Sequence, residues 1–285
     1  MQVHLGARGE KPAACALTIG NFDGVHLGHQ SMLAQLRQYA QLRQLPTALL
    51  TFEPHPREVF ARQSPPARLA TLRDKLGFLA ETGLVDHVFV YRFTRAFSAL
   101  PAEDFIQRIL CDTLHTRYLL IGDDFRFGAK RTGDFAQLAG CPAFETQAMS
   151  TISLLGERIS SSRIRHALAE GDFAHAQALL GRSYQISGHV MHGKKLGRTL
   201  GYPTANVHLP HRRPALRQPA GVLDHLRLGH LGCELPQVEA EAGSRAVAAK
   251  HRAHLVVTPT PHQGIAGPRH VDGKTGTTVV GITTQ

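Results

Sequence analysis

The sequence predicts an α/β fold with a parallel sheet covered by helices, followed by a small β-barrel. Between Cys15 and about Leu180, short β-rich runs alternate with segments of helical period, which is typical of parallel sheets. After Gly181 brief β-prone runs are separated by glycines, as in small barrels. The 285 residues suffice for two domains, which we expect over 1–182 and 183–285.

The predicted strands are four apolar runs that end at Gly, Pro or acidic residues. They are CALTIG, TALLTF, DHVFVY and YLLIG. Apolar residues at intervals of three and four predict helices over 31–42, 72–81 and 104–114. Two more helices, over 161–170 and 172–180, follow because Gly171-Asp172 indicates a helix stop and a new N-cap. Ligands of such sheets bind beyond the carboxyl ends of the strands, which is where we expect the chemistry.

The composition excludes several classes of protein. The net charge of +10 favours anionic partners without choosing among nucleic acid, acidic lipid and phosphorylated small molecules. The four cysteines form no CxxC pair and follow no secretion signal, so we expect reduced thiols. No stretch approaches the length of an apolar membrane span. We therefore expect a cytoplasmic protein with no membrane partner, and no nucleic-acid partner because basic residues are not interleaved with aromatics in one element.

The strongest motif is GNFDGVHLGH, at residues 20–29, directly after the first strand and before the first helix. Its glycines permit a tight turn, and the following helix presents free N–H groups to an anion. His26 and His29 stand three residues apart, so both imidazoles can face the same phosphates. The pattern resembles the HxGH signature of the nucleotidyltransferase superfamily, in which the histidines stabilise the α-phosphate while a nucleophilic phosphate displaces pyrophosphate.

The second motif is ISSSRIR, at residues 159–165, at the start of a predicted helix. Its serines offer hydroxyl groups and caps, and Arg163 and Arg165 offer guanidinium groups suited to polyphosphate oxygens. Taken alone, the motif is equally well interpreted as a helix N-cap with solvated arginines. Together with HxGH it resembles the superfamily's second motif, whose serines and first arginine hold the β- and γ-phosphates.

Two further motifs follow predicted strands. In GDDFRFG, at 122–128, Asp124 can accept a hydrogen bond from a ribose or base, and Arg126 can reach a phosphate. Phe125 and Phe127 can pack a flavin ring or equally well the core. TFEPHP, at 51–56, has prolines that stiffen a loop and a histidine, His55, that can be structural.

In this order the four motifs resemble the adenylyltransferase half of prokaryotic bifunctional riboflavin kinase/FMN adenylyltransferases (FAD synthetases), over about residues 15–182. The resemblance implies transfer of the adenylyl group of ATP to FMN, giving FAD and pyrophosphate, with Mg²⁺ bridging the phosphates. It implies His26, His29 and Arg163 as catalytic residues. The implied ATP contacts are Gly20, Phe22, Gly28, Asp124, Ser160, Ser161, Ser162 and Arg165, and the flavin contacts are Phe125, Arg126 and Phe127.

The segment 188–207 resembles the entry motif of riboflavin kinases. The resemblance implies a glycine-rich loop over ATP, with Gly193, Lys195 and Gly197, and Mg²⁺ ligands at Thr204 and Asn206. The resemblance stops at about Leu216. Residues 217–285 contain no Phe, Tyr or Trp, so they can bury little apolar surface and we expect poor order and no kinase base. A frame change in the coding sequence would produce such a tail.

The leading interpretation is an FMN adenylyltransferase whose riboflavin kinase part is incomplete and impaired or inactive. One alternative is another HxGH nucleotidyltransferase, acting on nicotinate mononucleotide, phosphopantetheine or a cytidylyl acceptor. Another is a protein that binds flavin or nucleotide without turnover. The substrates expected under the leading interpretation are ATP and FMN, with riboflavin for any remaining kinase activity.

Overall fold

The structure of the chain is a computed structural model that describes residues 1–6, 9–60, 65–149, 152–154, 156–191, 206–208, 252–259 and 277–284. The chain divides into two compact units, Met1–Ser161 and Ser162–Gln285. The domain boundaries predicted from the sequence, 1–182 and 183–285, remain predictions.

The first unit contains a sheet of six parallel strands in the order β1-β4-β3-β2-β5-β6. The strands are β1 (Gln2–Leu5), β2 (Cys15–Ile19), β3 (Thr47–Glu53), β4 (His87–Arg92), β5 (Thr116–Gly122) and β6 (Glu145–Met149). The four predicted strands correspond to β2, β3, β4 and β5, which confirms the predicted fold class. The strand order reverses at β2, because β3 pairs on one side of it and β5 on the other.

Helices follow the strands along the chain. They are α1 (Leu27–Leu42), α2 (Pro56–Phe60), α3 (Leu72–Thr82), α4 (Arg95–Ser98), α5 (Ala102–Asp104), a π-helix (Phe105–Cys111), a 3₁₀-helix (Ala129–Arg131) and α6 (Phe135–Ala139). The prediction for α1 was four residues too short, because His26 rather than a Ser, Thr, Asp or Asn caps the helix. The helix predicted over 104–114 exists in part, but its Phe105–Cys111 turns have π geometry.

The core lies on both faces of the sheet. Leu49 and Leu50 are consecutive on β3 and fully buried, yet they belong to clusters on opposite faces, as the alternation of a strand requires. On one face Leu50 packs in a cluster with Phe105 of the π-helix. On the other face Leu33 of α1 packs in the cluster that contains Leu49. Central strands buried on both faces are the expected result for a parallel sheet.

A short hairpin ends the first unit, and two helices begin the second. The hairpin consists of β7 (Ser153–Leu154) and β8 (Glu157–Arg158), and the helices are α7 (Ser161–Glu170) and α8 (Phe173–Leu180). The Asp172 carboxylate accepts a hydrogen bond from the His175 N–H at 2.9 Å and caps α8. Gly181 ends α8 with φ +73°. Both helices therefore begin and end within one residue of their predicted bounds.

The second unit also contains a four-stranded antiparallel sheet in the order β10-β9-β11-β12. Its strands are β9 (Tyr184–Met191), β10 (Asn206–His208), β11 (Arg252–Pro259) and β12 (Thr277–Thr284). Two of them lie in the segment after Leu216. Most of that segment lies outside the described residues, so its expected lack of order stays a prediction.

Within the described part of the chain, no helix combines the length and apolar character needed to cross a membrane. The cytoplasmic location expected from the sequence stays a prediction.

The burial of Leu50 predicts a large contribution to stability. Leu50→Ala leaves a cavity under β3, and we expect the free energy of unfolding to fall by about 2–5 kcal/mol. Leu42→Ala is the matched control, because Leu42 is 79% exposed and its truncation should change stability by less than about 0.5 kcal/mol. Urea unfolding followed by circular dichroism measures both. Equal losses in the two variants would contradict the packing described here.

Candidate functional site

A cavity of about 310 Å³ opens at the carboxyl edge of the sheet, between the ends of β2 and β5. This is the point at which the strand order reverses, and open parallel sheets bind their ligands there. The cavity is lined by Ile19, Gly20, Phe22, His26, Gly28, His29, Met32, Gly122, Asp123, Asp124, Phe125, Met149, Ile152, Arg158, Ile159, Ser160 and Ser161. Residues from four separate loops therefore meet at one site.

The turn between β2 and α1 is tight. Phe22 is only 1% exposed and adopts φ +47°, in the left-handed region that aromatic residues rarely occupy. Gly24 follows with φ +83°. A Cβ atom on Gly20 would lie 2.9 Å from the Phe22 ring, so a side chain there would displace that ring. The compact turn brings the histidines that follow it to the cavity.

Three aromatic rings stack at the start of α1. The His26 and His29 ring centroids lie 3.6 Å apart, and the Phe22 ring centroid lies 4.5 Å from that of His29. The Nδ1 atom of His26 accepts a hydrogen bond from the His29 N–H at 3.3 Å, so His26 is also the N-cap of the helix. Because Nδ1 of His26 acts as an acceptor here, its Nε2 carries the ring proton and can donate to an anion in the cavity. The helix N-terminus adds a further preference for an anion.

Gly28 permits the close approach of the His26 ring to the first turn of α1. A Cβ atom at Gly28 would lie 3.2 Å from His26 Nδ1 and 3.3 Å from His26 Cε1. Both distances are shorter than ordinary van der Waals contact, so any side chain would push the imidazole away.

The structure places two of the three predicted serines, Ser160 and Ser161, at the same cavity. Ser160 and Ser161 follow the β7–β8 hairpin and line its wall. The Ser161 hydroxyl donates a hydrogen bond to the backbone carbonyl of Asp23 at 2.9 Å, which ties the serine turn to the histidine turn. Asp124 also lines the cavity, and its carboxylate pairs with Arg158 at 3.0 Å. The roles assigned to these residues from the sequence remain predictions.

The other members of the DDFRFG motif differ in position. Phe125 lines the cavity and is partly buried. Phe127 is 6% exposed and packs in the core, 5.4 Å from the Phe105 ring, so in this conformation it offers no face to a ligand. The Arg126 guanidinium pairs with Asp134 at 3.3 Å and is not among the residues that line the cavity.

The remaining predicted site residues lie in the second unit. Ser162, Arg163 and Arg165 are on α7, where the Arg163 guanidinium lies 3.1 Å from His175 Nε2. Asn206 begins β10 and pairs with Met191. Gly193, Lys195, Gly197 and Thr204 lie outside the described residues.

Sequence reasoning missed several residues that border the site. Asp123, Arg158 and Met149 line the cavity, although only their adjacency to recognised motifs could have indicated this. Outside the residues that line this cavity, the sequence reasoning also missed an aromatic cluster beside the ends of β3 and β4. It consists of Phe52, Phe60, Phe93 and Phe97, whose ring centroids are 5.6 to 6.0 Å from their nearest neighbours. Phe60 is 60% exposed, so part of this apolar cluster faces outward.

An ionic cluster lies beneath the same edge of the sheet. Arg68 donates hydrogen bonds to the carboxylates of both Glu53, at 2.7 Å, and Glu58, at 2.5 Å. Burial alone would raise the pKa of Glu58, but the Arg68 guanidinium holds that pKa below its usual range. Lys75 is the second cation of the cluster and is only 5% exposed. Burial lowers the pKa of Lys75, while the carboxylates of Asp23 and Glu53 oppose that shift.

Comparisons with known proteins match both units. The family model described as FAD synthetase matches residues 9–163, and the model described as riboflavin kinase matches 180–224. The bifunctional riboflavin kinase/FMN adenylyltransferase of Escherichia coli (strain K12) is 46% identical over 249 residues, which cover 85% of this chain and 77% of that protein. The enzyme of the same description from Haemophilus influenzae is 51% identical over 202 residues, covering 70% of this chain and 65% of that protein.

A solved structure shares the fold. It is the crystal structure of a protein described as a macrolide-efflux protein from Streptococcus pneumoniae, with a TM-score of 0.63 and 24% identity. The match covers 74% of this chain and 72% of that one. At this identity the likeness supports the architecture alone.

The contact between Gly28 and His26 predicts a specific effect of one added methyl group. Gly28→Ala should displace the His26 imidazole, shift its NMR signals and weaken the binding of tripolyphosphate by at least about fivefold, which is the loss of roughly one hydrogen bond. The matched control is Gly77→Ala, also in a helix, where an added Cβ atom has no neighbour within 4 Å. That control should bind normally. Unchanged histidine signals and unchanged affinity in Gly28→Ala would contradict the geometry.

Proposed function

The chain belongs to the FAD synthetase family, and we propose that it transfers the adenylyl group of ATP to FMN, giving FAD and pyrophosphate. The observation that carries this proposal is the cavity at the strand-order reversal, where His26 and His29 face Ser160 and Ser161. Family membership makes the chain an enzyme of flavin cofactor synthesis. The specific roles of its residues are argued from their positions.

In the proposed reaction a phosphate oxygen of FMN attacks the α-phosphorus of ATP. A new P–O bond forms, the bond between the α-phosphorus and the bridging oxygen to the β-phosphorus breaks, and pyrophosphate leaves with that oxygen. The protein supplies little covalent chemistry in such a transfer, so positioning and charge stabilisation produce most of the rate. We propose that the imidazoles of His26 and His29 stabilise the negative charge that develops on the α-phosphate.

The pyrophosphate leaving group requires cations and hydrogen-bond donors. Backbone N–H groups in the first turn of α1 and the Ser160 hydroxyl lie at the cavity and are the proposed donors, while the Ser161 hydroxyl donates to the Asp23 carbonyl and holds the serine turn in place. Arg163 and Arg165 remain assigned to the β- and γ-phosphates on the strength of the sequence motif. Arg158 is an additional cation at the cavity, at present paired with Asp124.

The flavin ring requires a flat apolar surface. Phe125 at the cavity offers one, and so does Phe60, the exposed member of the aromatic cluster. Phe127 is assigned to the core instead, because its ring is buried there. We propose that the isoalloxazine binds beside Phe125, which leaves its phosphate free to approach the histidines.

Mg²⁺ fits the donors at this cavity. In the described part of the chain no three His, Cys, Asp or Glu residues gather as a metal site. Mg²⁺ is usually held by one or two carboxylates together with substrate phosphates and water, and Asp123 and Asp124 supply carboxylates at the cavity wall. Bound there, the ion would neutralise charge on the nucleotide phosphates.

Riboflavin phosphorylation is proposed to be impaired. The curated relatives are named for both activities, and the riboflavin kinase family model matches residues 180–224 of this chain. The proposal that the kinase is impaired is supported by the amino-acid composition. Residues 217–285 contain no Phe, Tyr or Trp that could pack a barrel and so hold a catalytic base in place. The glycine-rich loop and the ligands Thr204 and Asn206 precede this segment and remain assigned to ATP and Mg²⁺.

Two reaction mixtures test the proposed function. Purified protein with FMN, ATP and Mg²⁺ should form FAD and pyrophosphate, whereas riboflavin with ATP and Mg²⁺ should form little FMN. Nicotinate mononucleotide and phosphopantetheine serve as alternative acceptors, and chromatography with a pyrophosphate assay measures the products. FAD formation is the expected result. Pyrophosphate release only with another acceptor would overturn the proposed adenylyl transfer to FMN. Rapid formation of FMN from riboflavin would overturn the proposal that riboflavin phosphorylation is impaired.

The imidazole of His29 should be essential to adenylyl transfer. Removing a group that stabilises transition-state charge costs about 10²–10³-fold in kcat, so His29→Ala should lose at least that much FAD synthesis. The fold should persist, because His29 is only partly buried. Thr204→Ala, in the riboflavin kinase-like segment, should synthesise FAD at the wild-type rate. Wild-type activity in His29→Ala would remove this residue from the site.

A further inference from the structure

Lys75 is a buried cation for which the reaction outlined above has no role. It lies on α3 with only 5% of its surface exposed, although lysine is almost never fully buried unless its charge is paired. Its ammonium group lies 3.4 Å from the Thr51 hydroxyl on β3. An unneeded cation at this depth would be replaced at little loss by an apolar residue of similar size. Its position therefore calls for a specific partner.

The charges around Lys75 identify that partner. Arg68 is engaged by two carboxylates, those of Glu53 and Glu58, through four hydrogen bonds. The third carboxylate of the cluster is Asp23, which is 5% exposed and opposes the lowering of the Lys75 pKa that burial causes. Two cations and three carboxylates thus make up this cluster, in which Lys75 is attracted to Asp23 and donates its hydrogen bond to Thr51.

Asp23 belongs to the turn that presents the histidines. It directly follows Phe22, and its carboxylate accepts hydrogen bonds from the backbone N–H groups of Leu69, at 3.1 Å, and Ala70, at 3.3 Å. Its backbone carbonyl accepts the hydrogen bond of Ser161. The side chain and the main chain of one residue therefore fix both the turn and the serine wall of the cavity.

A second connection runs through Thr51. The Thr51 hydroxyl accepts from the Lys75 ammonium group and donates to the backbone carbonyl of Asn21 at 3.3 Å. Asn21 directly precedes Phe22, whose ring stacks on His29. Lys75 is thus connected to the turn through Thr51 and Asn21, and the charge of Asp23 attracts it from the other side of Phe22 in the sequence.

We propose that Lys75 is a positioning residue for adenylyl transfer, whose ammonium group holds the Asn21–Gly24 turn and thereby the Phe22 ring and the His29 imidazole in register with the α-phosphate. This inference rests on the proposed function. Lys75 itself touches no substrate. Without the ammonium group the Thr51 hydroxyl loses its donor and the Asp23 carboxylate loses a favourable charge, so the turn is held less firmly.

The two ways in which Lys75 can matter have different kinetic signatures. A purely structural lysine lowers the amount of folded enzyme and leaves the kinetics of the folded fraction unchanged. A positioning lysine lowers kcat of the folded enzyme, because a displacement of about 1 Å at the reacting group can cost about 10²-fold. The Michaelis constant for ATP should change less, since the triphosphate is bound by several other groups.

The test compares three variants with the wild-type chain. Lys75→Met removes the charge and keeps the length, and Lys75→Arg keeps the charge. Arg73→Met is the matched control, because it removes a cation from the same helix at an exposed position. Folded fraction is measured by thermal unfolding, and FAD synthesis is measured at saturating FMN over a range of ATP concentrations.

We expect Lys75→Met to lose roughly 10²-fold in kcat per folded molecule, Lys75→Arg to recover part of that loss, and Arg73→Met to match the wild type. The double variant Lys75→Met with Asp23→Asn should be no worse than the worse single variant, because both changes loosen the same turn. Wild-type kcat in folded Lys75→Met, or additive losses in the double variant, would overturn the proposal.

A second measurement does not depend on turnover. The His29 imidazole signals, assigned with His29→Ala, report the stacking of that ring on Phe22. They should shift in Lys75→Met and stay unchanged in Arg73→Met. Unshifted signals would overturn the positioning role. If the wild-type chain forms no FAD while these signals shift as expected, the proposed function fails and the structural link between Lys75 and the turn stands.

Discussion

The turn between β2 and α1 is the constraint on which the rest of the site depends. The chain leaves the carboxyl end of β2, reverses in a few residues and enters a helix whose N-cap is His26. Phe22 in a left-handed conformation and the missing side chains of Gly20 and Gly28 are conditions for that geometry. Because β2 is the strand at which the sheet order reverses, the turn opens into the cavity between β2 and β5. The position of β2 in the sheet therefore determines where the histidine turn and the cavity lie.

Rigid surroundings hold this strained turn in place. From one side the Ser161 hydroxyl holds the Asp23 carbonyl, and from below the Asp23 carboxylate accepts backbone hydrogen bonds from the segment before α3. The buried ammonium group of Lys75 adds a long-range electrostatic tie where solvent screening is weak. Groups fixed in this way need no rearrangement when charge develops on a phosphate, which is the basis of electrostatic catalysis.

The sequence predicted the features with strong local signals. Apolar runs marked the four central strands, and the glycine-histidine turn marked the site, because few kinds of site combine these residue types at a strand-to-helix junction. The start of α1 was missed since histidine is an uncommon N-cap, and the edge strand β1 was missed because its four residues show one buried position. The residue type of Phe127 could not tell whether its ring contacts a ligand or packs in the core, because burial depends on residues that are distant in the sequence. The role of Lys75 could not be predicted for the same reason, because it depends on Asp23 and Thr51, which are distant in the sequence.

The most direct test of this account is a crystal structure of the protein with a non-hydrolysable ATP analogue, Mg²⁺ and FMN. The account predicts the α-phosphate within hydrogen-bond distance of both the His26 and His29 imidazoles, the terminal phosphates against Ser160 and Ser161, and the FMN phosphate on the opposite side of the α-phosphorus. A triphosphate bound away from the β2–α1 turn, with the two histidines turned from it, would contradict the central claim.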